Sequence, residues 1–230
     1  MKIDAEKGEG IELAKQFGVR GFPTIIIANE NGQEVDRIVG YMPPEPFLEK
    51  LNQIKNGINT MPTLLGELEL DPTKFSTLFK LANKYENMND KASAREMINA
   101  ILEAGTDSSG AAAFQSILYD ARETRDPTPL IVYADKNPNS ENSINALQEA
   151  MYLVRQRGVD PELEANLYIR VVNANKDPNS GYLNGFAWRM SELKLNLDLA
   201  LEKVNWAIEN EIDEKNKHMY IDTKAEVLWK

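Results

Sequence analysis

The chain has 230 residues, 42% hydrophobic and 27% charged, a balance that suits a folded protein with a buried core rather than a disordered one. Lys and Arg number 26 against 36 Asp and Glu, a formal charge of −10, and neither residues 1–60 nor residues 61–230 carry a basic excess; this argues against a nucleic-acid partner. With no Cys and one His, disulfides, thiolate nucleophiles and multi-histidine metal centres are excluded by composition.

In chain order, Met1 to Asp4 reads as a short strand. Ile11, Leu13, Ala14 and Phe17 recur at helical spacing, and Gly18 can take the left-handed conformation that closes a helix. Thr24 to Ala28 is a β-branched run without polar interruption, predicting a strand covered on both faces. Asn31-Gly32 predicts a hairpin turn, and Glu34 to Gly40 the return strand, with Val35 and Arg37 on one face and Ile38 on the other. Pro43-Pro44-Glu45-Pro46 opens a helix at its proline-tolerant first turn; Phe47, Leu48, Leu51, Ile54 and Ile58 form its apolar stripe, and Gly57 marks its end. Residues 58–70 show no clear period and contain Pro62 and Gly66, which predicts a linker.

Beyond residue 70 the signals are helical and punctuated by Asp71-Pro72, Asp126-Pro127, Asp160-Pro161 and Asp177-Pro178. Each reads as a helix start, because aspartate caps free amides and proline at the next position costs no hydrogen bond. Ala94, Ile98 and Ile101 stand at i, i+4 and i+7, as do Ala165, Ile169 and Val172, and Ala200, Val204 and Ala207; the triplets are offset by 71 and 35 residues. Leu78, Leu81, Ala82 and Tyr85 supply the preceding helix of one unit, with Ala82 twelve residues before Ala94; Ala187 stands thirteen before Ala200. The copy expected around Leu130 and Ala134 is crowded by Pro127, Pro129 and Pro138. A period near 34–35 built from helix pairs resembles the tetratricopeptide repeat. The stretch Leu183-Asn184-Gly185-Phe186-Ala187-Trp188 and the segment Tyr220 to Trp229 match that family best. The resemblance implies a partner helix after Lys230, so the C-terminus is expected to be cut.

The segment Gly18-Val19-Arg20-Gly21-Phe22-Pro23-Thr24, followed by an apolar strand, an Asn-Gly hairpin, Val39-Gly40-Tyr41 and a helix, resembles the C-terminal half of the thioredoxin fold. The resemblance implies that Pro23 is the family's cis-proline, that Phe22 presents its backbone to an extended substrate peptide, and that Gly40 is the small residue of the following strand. The Cys-x-x-Cys of that family is absent, so this chain is expected to be inactive in thiol–disulfide exchange. The missing strand between Met1–Asp4 and Thr24–Ala28 implies a fragment of a longer protein, or another molecule in the gap.

Other motifs carry less. Asp135-x-Asn137-x-Asn139 begins like a calcium loop but has Ser140 at the sixth position and Ala146 at the twelfth. Gly8 and Gly10 follow no long strand, so no nucleotide loop is expected. Trp188, Trp206 and Trp229 read as core residues on helix faces. A hydrolase built on His218 would need that histidine in a cleft beside a nucleophile.

The expected architecture is therefore α+β and predominantly α. It comprises a partial thioredoxin-like α/β domain at 1–57, a linker at 58–70, and a tetratricopeptide-like helix-pair array at 71–230. The expected function is that of a fragment of a thioredoxin-family thiol–disulfide oxidoreductase-like protein, itself redox-inactive, with a helical-repeat region for protein interaction. The alternative is a non-catalytic scaffold with a vestigial thioredoxin-like cap. Phe22 and Pro23 are the expected peptide-binding residues; no catalytic residue, cofactor or metal is expected. The expected partner is a protein or peptide bound by the repeats and the Pro23 edge, with no nucleic acid. No apolar run is long enough to span a membrane. The expected location is cytoplasmic or periplasmic/exported, any export signal lying upstream of Met1.

Overall fold

A computed structural model describes residues 2–175 and 177–230, and it divides into two compact units, Met1–Ser116 and Ile117–Lys230. The chain is mostly helical with one small two-stranded sheet near its start. In the first unit, helix α1 (Glu9–Gln16) leads to strands β1 (Thr24–Ala28) and β2 (Glu34–Val39), then to α2 (Pro44–Lys55), α3 (Met61–Leu70), α4 (Phe75–Asn87) and α5 (Lys91–Ala104). Helix α6 (Ala111–Thr124) runs across the division.

The two strands form an antiparallel hairpin in which Ile25 faces Ile38 and Ile27 faces Asp36, with a bulge between Ile27 and Ala28. Asn29 organises the turn. Its backbone carbonyl accepts from Gly32 at 3.0 Å, and its side-chain Oδ1 accepts from the amides of Asn31 and Gln33, each at 3.0 Å. Residues 2–4 are not a strand; Met1 lies outside the described residues. The Asp4 carbonyl instead packs so tightly over Gly10 that any side chain there would collide, and Asp4 Oδ1 accepts the Glu6 amide at 3.1 Å.

Strand β1 is not covered on both faces. None of its residues is buried, whereas Asp36, Arg37 and Ile38 of β2 all are. Continuous β-branched character reports a strand, and packing partners decide whether it is enclosed. The stripe read on α2 is likewise only part-covered: Ile54 is buried, but Leu48 and Ile58 are exposed.

The stretch 58–70, read as a linker, holds α3. Pro62 sits in the first turn of that helix, where its missing amide costs nothing. Met61 and Leu64 pack with Leu81 of α4, joined at the margin by Leu68, Tyr85, Met88 and Met97.

The second unit contains α7 (Thr128–Lys136), α8 (Glu141–Arg157), α9 (Pro161–Ala174), α10 (Ser180–Leu193), α11 (Leu197–Asn210) and α12 (Glu214–Trp229). Successive helices pack on one another: α7 on α8, α8 on α9, α9 on α10, and α10 on both α11 and α12. Its core gathers Ala165 and Val172 of α9, Leu183, Phe186 and Met190 of α10, Ala200, Val204 and Ala207 of α11, and Tyr220 and Val227 of α12. Ala94, Ile98 and Ile101 are likewise buried on α5, and Leu130 and Ala134 on the short helix α7.

Of the four Asp-Pro pairs, only Asp160-Pro161 is a capped start, with Asp160 accepting the Leu163 amide at 2.9 Å. Asp71 closes α3, Asp126 lies two residues before α7, and Asn179 rather than Asp177 caps α10. The aspartates still turn the chain: Asp71 Oδ1 takes the Thr73 amide and Asp126 Oδ1 the Thr128 amide. Among the described residues no helix is long and apolar enough to cross a membrane.

Candidate functional site

The loop from Phe17 to Thr24 carries the residues singled out from the sequence. Gly18 begins it at φ +60°, ending α1, with its Cα pressed against the Met88 carbonyl so that no side chain fits. The Val19 amide returns to the Ala14 carbonyl at 2.8 Å, and the Thr24 hydroxyl donates to the Gly21 carbonyl at 2.8 Å. The Phe22–Pro23 peptide is cis. The Pro23 carbonyl accepts the Gly40 amide at 2.8 Å, fixing the loop's exit onto the end of β2.

That last bond also sets the alternation along β1. Pro23, Ile25 and Ile27 turn their backbone groups toward β2, and Thr24 and Ile26 turn theirs away from it. Among the described residues no strand pairs with that second edge. Phe22 is 64% exposed beside it, with Ile25, Val39 and Tyr41 also exposed. The structure thus brings Phe22 and Pro23 to an open strand margin with apolar neighbours.

The loop is held from behind by charges that sequence reading did not single out. Arg37 is 7% exposed, and its guanidinium meets four acceptors. Nε and Nη2 donate to the two carboxylate oxygens of Glu34, both at 2.6 Å; Nη1 donates to the Asn87 carbonyl at 2.9 Å; and Nη2 also donates to the Phe17 carbonyl at 2.8 Å. One side chain therefore ties the end of α1, the end of α4 and the start of β2 together. Next to it, Asp36 is 3% exposed; its Oδ1 takes Lys84 Nζ at 2.6 Å, and its Oδ2 faces Lys50 Nζ at 3.5 Å. The signal available was an Asp-Arg pair flanked by Val35 and by Ile38 and Val39, with Glu34 three residues before Arg37 in the same strand. Burial of both needs partners from elsewhere, and α2 and α4 supply them.

His218 is exposed on α12, not in a cleft beside a nucleophile, so the hydrolase reading has no site to stand on. The three tryptophans are not core residues: Trp188 and Trp206 are half-exposed and Trp229 more so. The buried faces of their helices are taken instead by Leu183, Ala187 and Met190 on α10, by Ala200, Val204 and Ala207 on α11, and by Tyr220, Thr223 and Val227 on α12. Asp135 of the calcium-like stretch is engaged by Arg170, and Asn137 ends α7.

No curated protein matches the chain. Residues 4–55, which contain the whole loop, the hairpin and α2, match the family model of the thioredoxin-like domain, and this segment is thioredoxin-like.

Proposed function

We propose that the chain serves within a thioredoxin-family thiol–disulfide oxidoreductase-like protein as a polypeptide-holding part without redox chemistry of its own. An extended polypeptide lies along the Phe22–Pro23 margin, pairing with the outward backbone groups of β1, and the helices beyond it hold protein partners. The helical region is read as tetratricopeptide-like, on the shared offsets of the Ala94, Ala165 and Ala200 triplets. The observation that carries this reading is an exposed Phe22 at an unpaired strand margin inside a thioredoxin-like segment. Thiol–disulfide exchange needs an attacking thiolate and a resolving thiol, and this sequence has no Cys.

Two measurements test it. Insulin reduction by the chain should stay at background with dithiothreitol supplied, and dithiol-dependent turnover would refute the redox part. A benzoylphenylalanine photocrosslinker placed at Phe22 should capture a permanently unfolded, carboxymethylated protein, whereas one at the exposed Leu48 should not. Equal capture at both positions would remove the proposed binding margin and leave the alternative, a helical scaffold with a vestigial cap.

A further inference from the structure

We propose that the groove between α9 and α11 docks an extended basic segment of a partner polypeptide, with a Lys or Arg side chain seated on Trp206. This rests on the reading that the helical region holds protein partners, and it names the chemistry of one such partner.

The groove has a volume of about 600 Å³. Its base is Val172 and Leu183, both in the core of the second unit, so it cannot close by collapse of its own side chains. Trp206 forms one wall and is 43% exposed, because the buried face of α11 is taken by Ala200, Val204 and Ala207. A tryptophan ring left at a surface presents the most attractive side-chain face for a cation. Glu202 and Glu209 line the groove one turn to either side of that ring, four residues before and three after.

Charge decides the occupant. Glu202 and Glu209 stand against a single lining cation, Lys203, which already meets Glu202 at 2.8 Å. The described lining is thus net negative, in a chain whose overall charge is −10. An acidic segment would meet repulsion from Glu209; a basic side chain meets a π face and that carboxylate, Glu202 being paired already with Lys203. Asn173 and Asn205 add amide donors and acceptors on opposite walls, the groups an extended backbone needs.

The test is fluorescence anisotropy of a fluorescein-labelled Arg-Gly repeat peptide with the full chain, against its Glu-Gly counterpart. The basic peptide should bind and the acidic one should not. Trp206→Ala should weaken binding about tenfold and Glu209→Gln about threefold, while Trp206→Phe should keep most of it. Glu162→Gln changes net charge equally at the exposed start of α9, and should leave binding unchanged. If Trp206→Ala proves unfolded by circular dichroism, the Trp206→Phe and Glu209→Gln variants decide. Equal binding of both peptides, or equal loss in Glu162→Gln and Glu209→Gln, overturns the proposal. Should the carboxymethylated protein bind the wild type and Trp206→Ala alike while the basic peptide binds neither, the groove fails and the general partner-holding reading stands.

Discussion

Arg37 and Glu34 face each other as a bidentate pair, 2.6 Å at both contacts, with less than a tenth of either side chain exposed. Planar, forked geometry matches guanidinium to carboxylate, and two further bonds go to the Asn87 and Phe17 carbonyls. Removing one partner leaves the other charged and desolvated. Arg37→Met should therefore destabilise the first unit by about 3–5 kcal/mol in urea denaturation. Adding Glu34→Gln should restore part of that loss, because the orphaned carboxylate goes with it. A stability change in the single variant below the error of the titration would show that the pair contributes nothing.

Gly18 tests the same loop from its other side. With φ at +60° and the Met88 carbonyl against its Cα, an added methyl group meets both backbone strain and collision. Gly18→Ala should cost on the order of 2 kcal/mol, read as a lowered melting temperature. Gly21→Ala, where a Cβ would meet nothing within 4 Å, should cost far less.

In the second unit the corresponding buried pair is Glu164 with Arg189. Glu164 is 3% exposed and accepts from Nε at 2.6 Å and from Nη2 at 2.9 Å, while Nη1 reaches Glu192 at 2.7 Å. These carboxylates push the guanidinium's already high pKa further up, so Arg189 keeps its charge. Arg189→Met should destabilise this unit by about 3–5 kcal/mol, and Glu192→Gln, which leaves the bidentate contact intact, by under about 1 kcal/mol.

Asp90 supplies a pH dependence. Ser93 donates to it through its hydroxyl at 2.7 Å and its amide at 3.1 Å, and these bonds hold the Asp90 carboxyl below its usual value of 3.8. A depressed folded value means the charged form favours folding. The contribution is complete above the ordinary value and is lost as pH falls through the lowered one. Asp90→Asn should thus flatten the decline of melting temperature below about pH 4. At neutral pH, Asp90→Ala should lower stability by about 1 kcal/mol through loss of the cap.

Local signals read well where the cause is local. Asn31-Gly32 marked the hairpin because Gly32 supplies the positive φ of a turn that Asn29 completes within four residues, and Pro44 with Gly57 bracketed α2 by similarly local means. Phe22 itself stands exposed at an open strand margin among the described residues. What escaped the sequence depends on distant partners. Asp36 and Arg37 look like surface residues until Lys84 and Asn87, about fifty positions later, are brought beside them. Trp206 carries the opposite lesson: bulk and hydrophobicity suggested a buried residue, but Val204 and Ala207 had already filled the interior face. Helix α3 escaped because Leu64 and Leu65 with Gly66 and Pro62 mask its period, and its register is set by contact with Leu81.

Lys84 belongs to α4, yet its counter-ion Asp36 belongs to β2, within the segment that matches the thioredoxin-like family. A genetic dissection that cuts the chain after Gly57 would discard the ammonium and keep the carboxylate, and it would take away the Asn87 carbonyl from Arg37 as well. That piece would keep Lys50 at 3.5 Å from Asp36 and Glu34 on Arg37. The smallest excisable piece that retains the short Lys84–Asp36 contact must extend to the close of α4, so subcloning at the boundary suggested by family likeness alone should yield a less stable product.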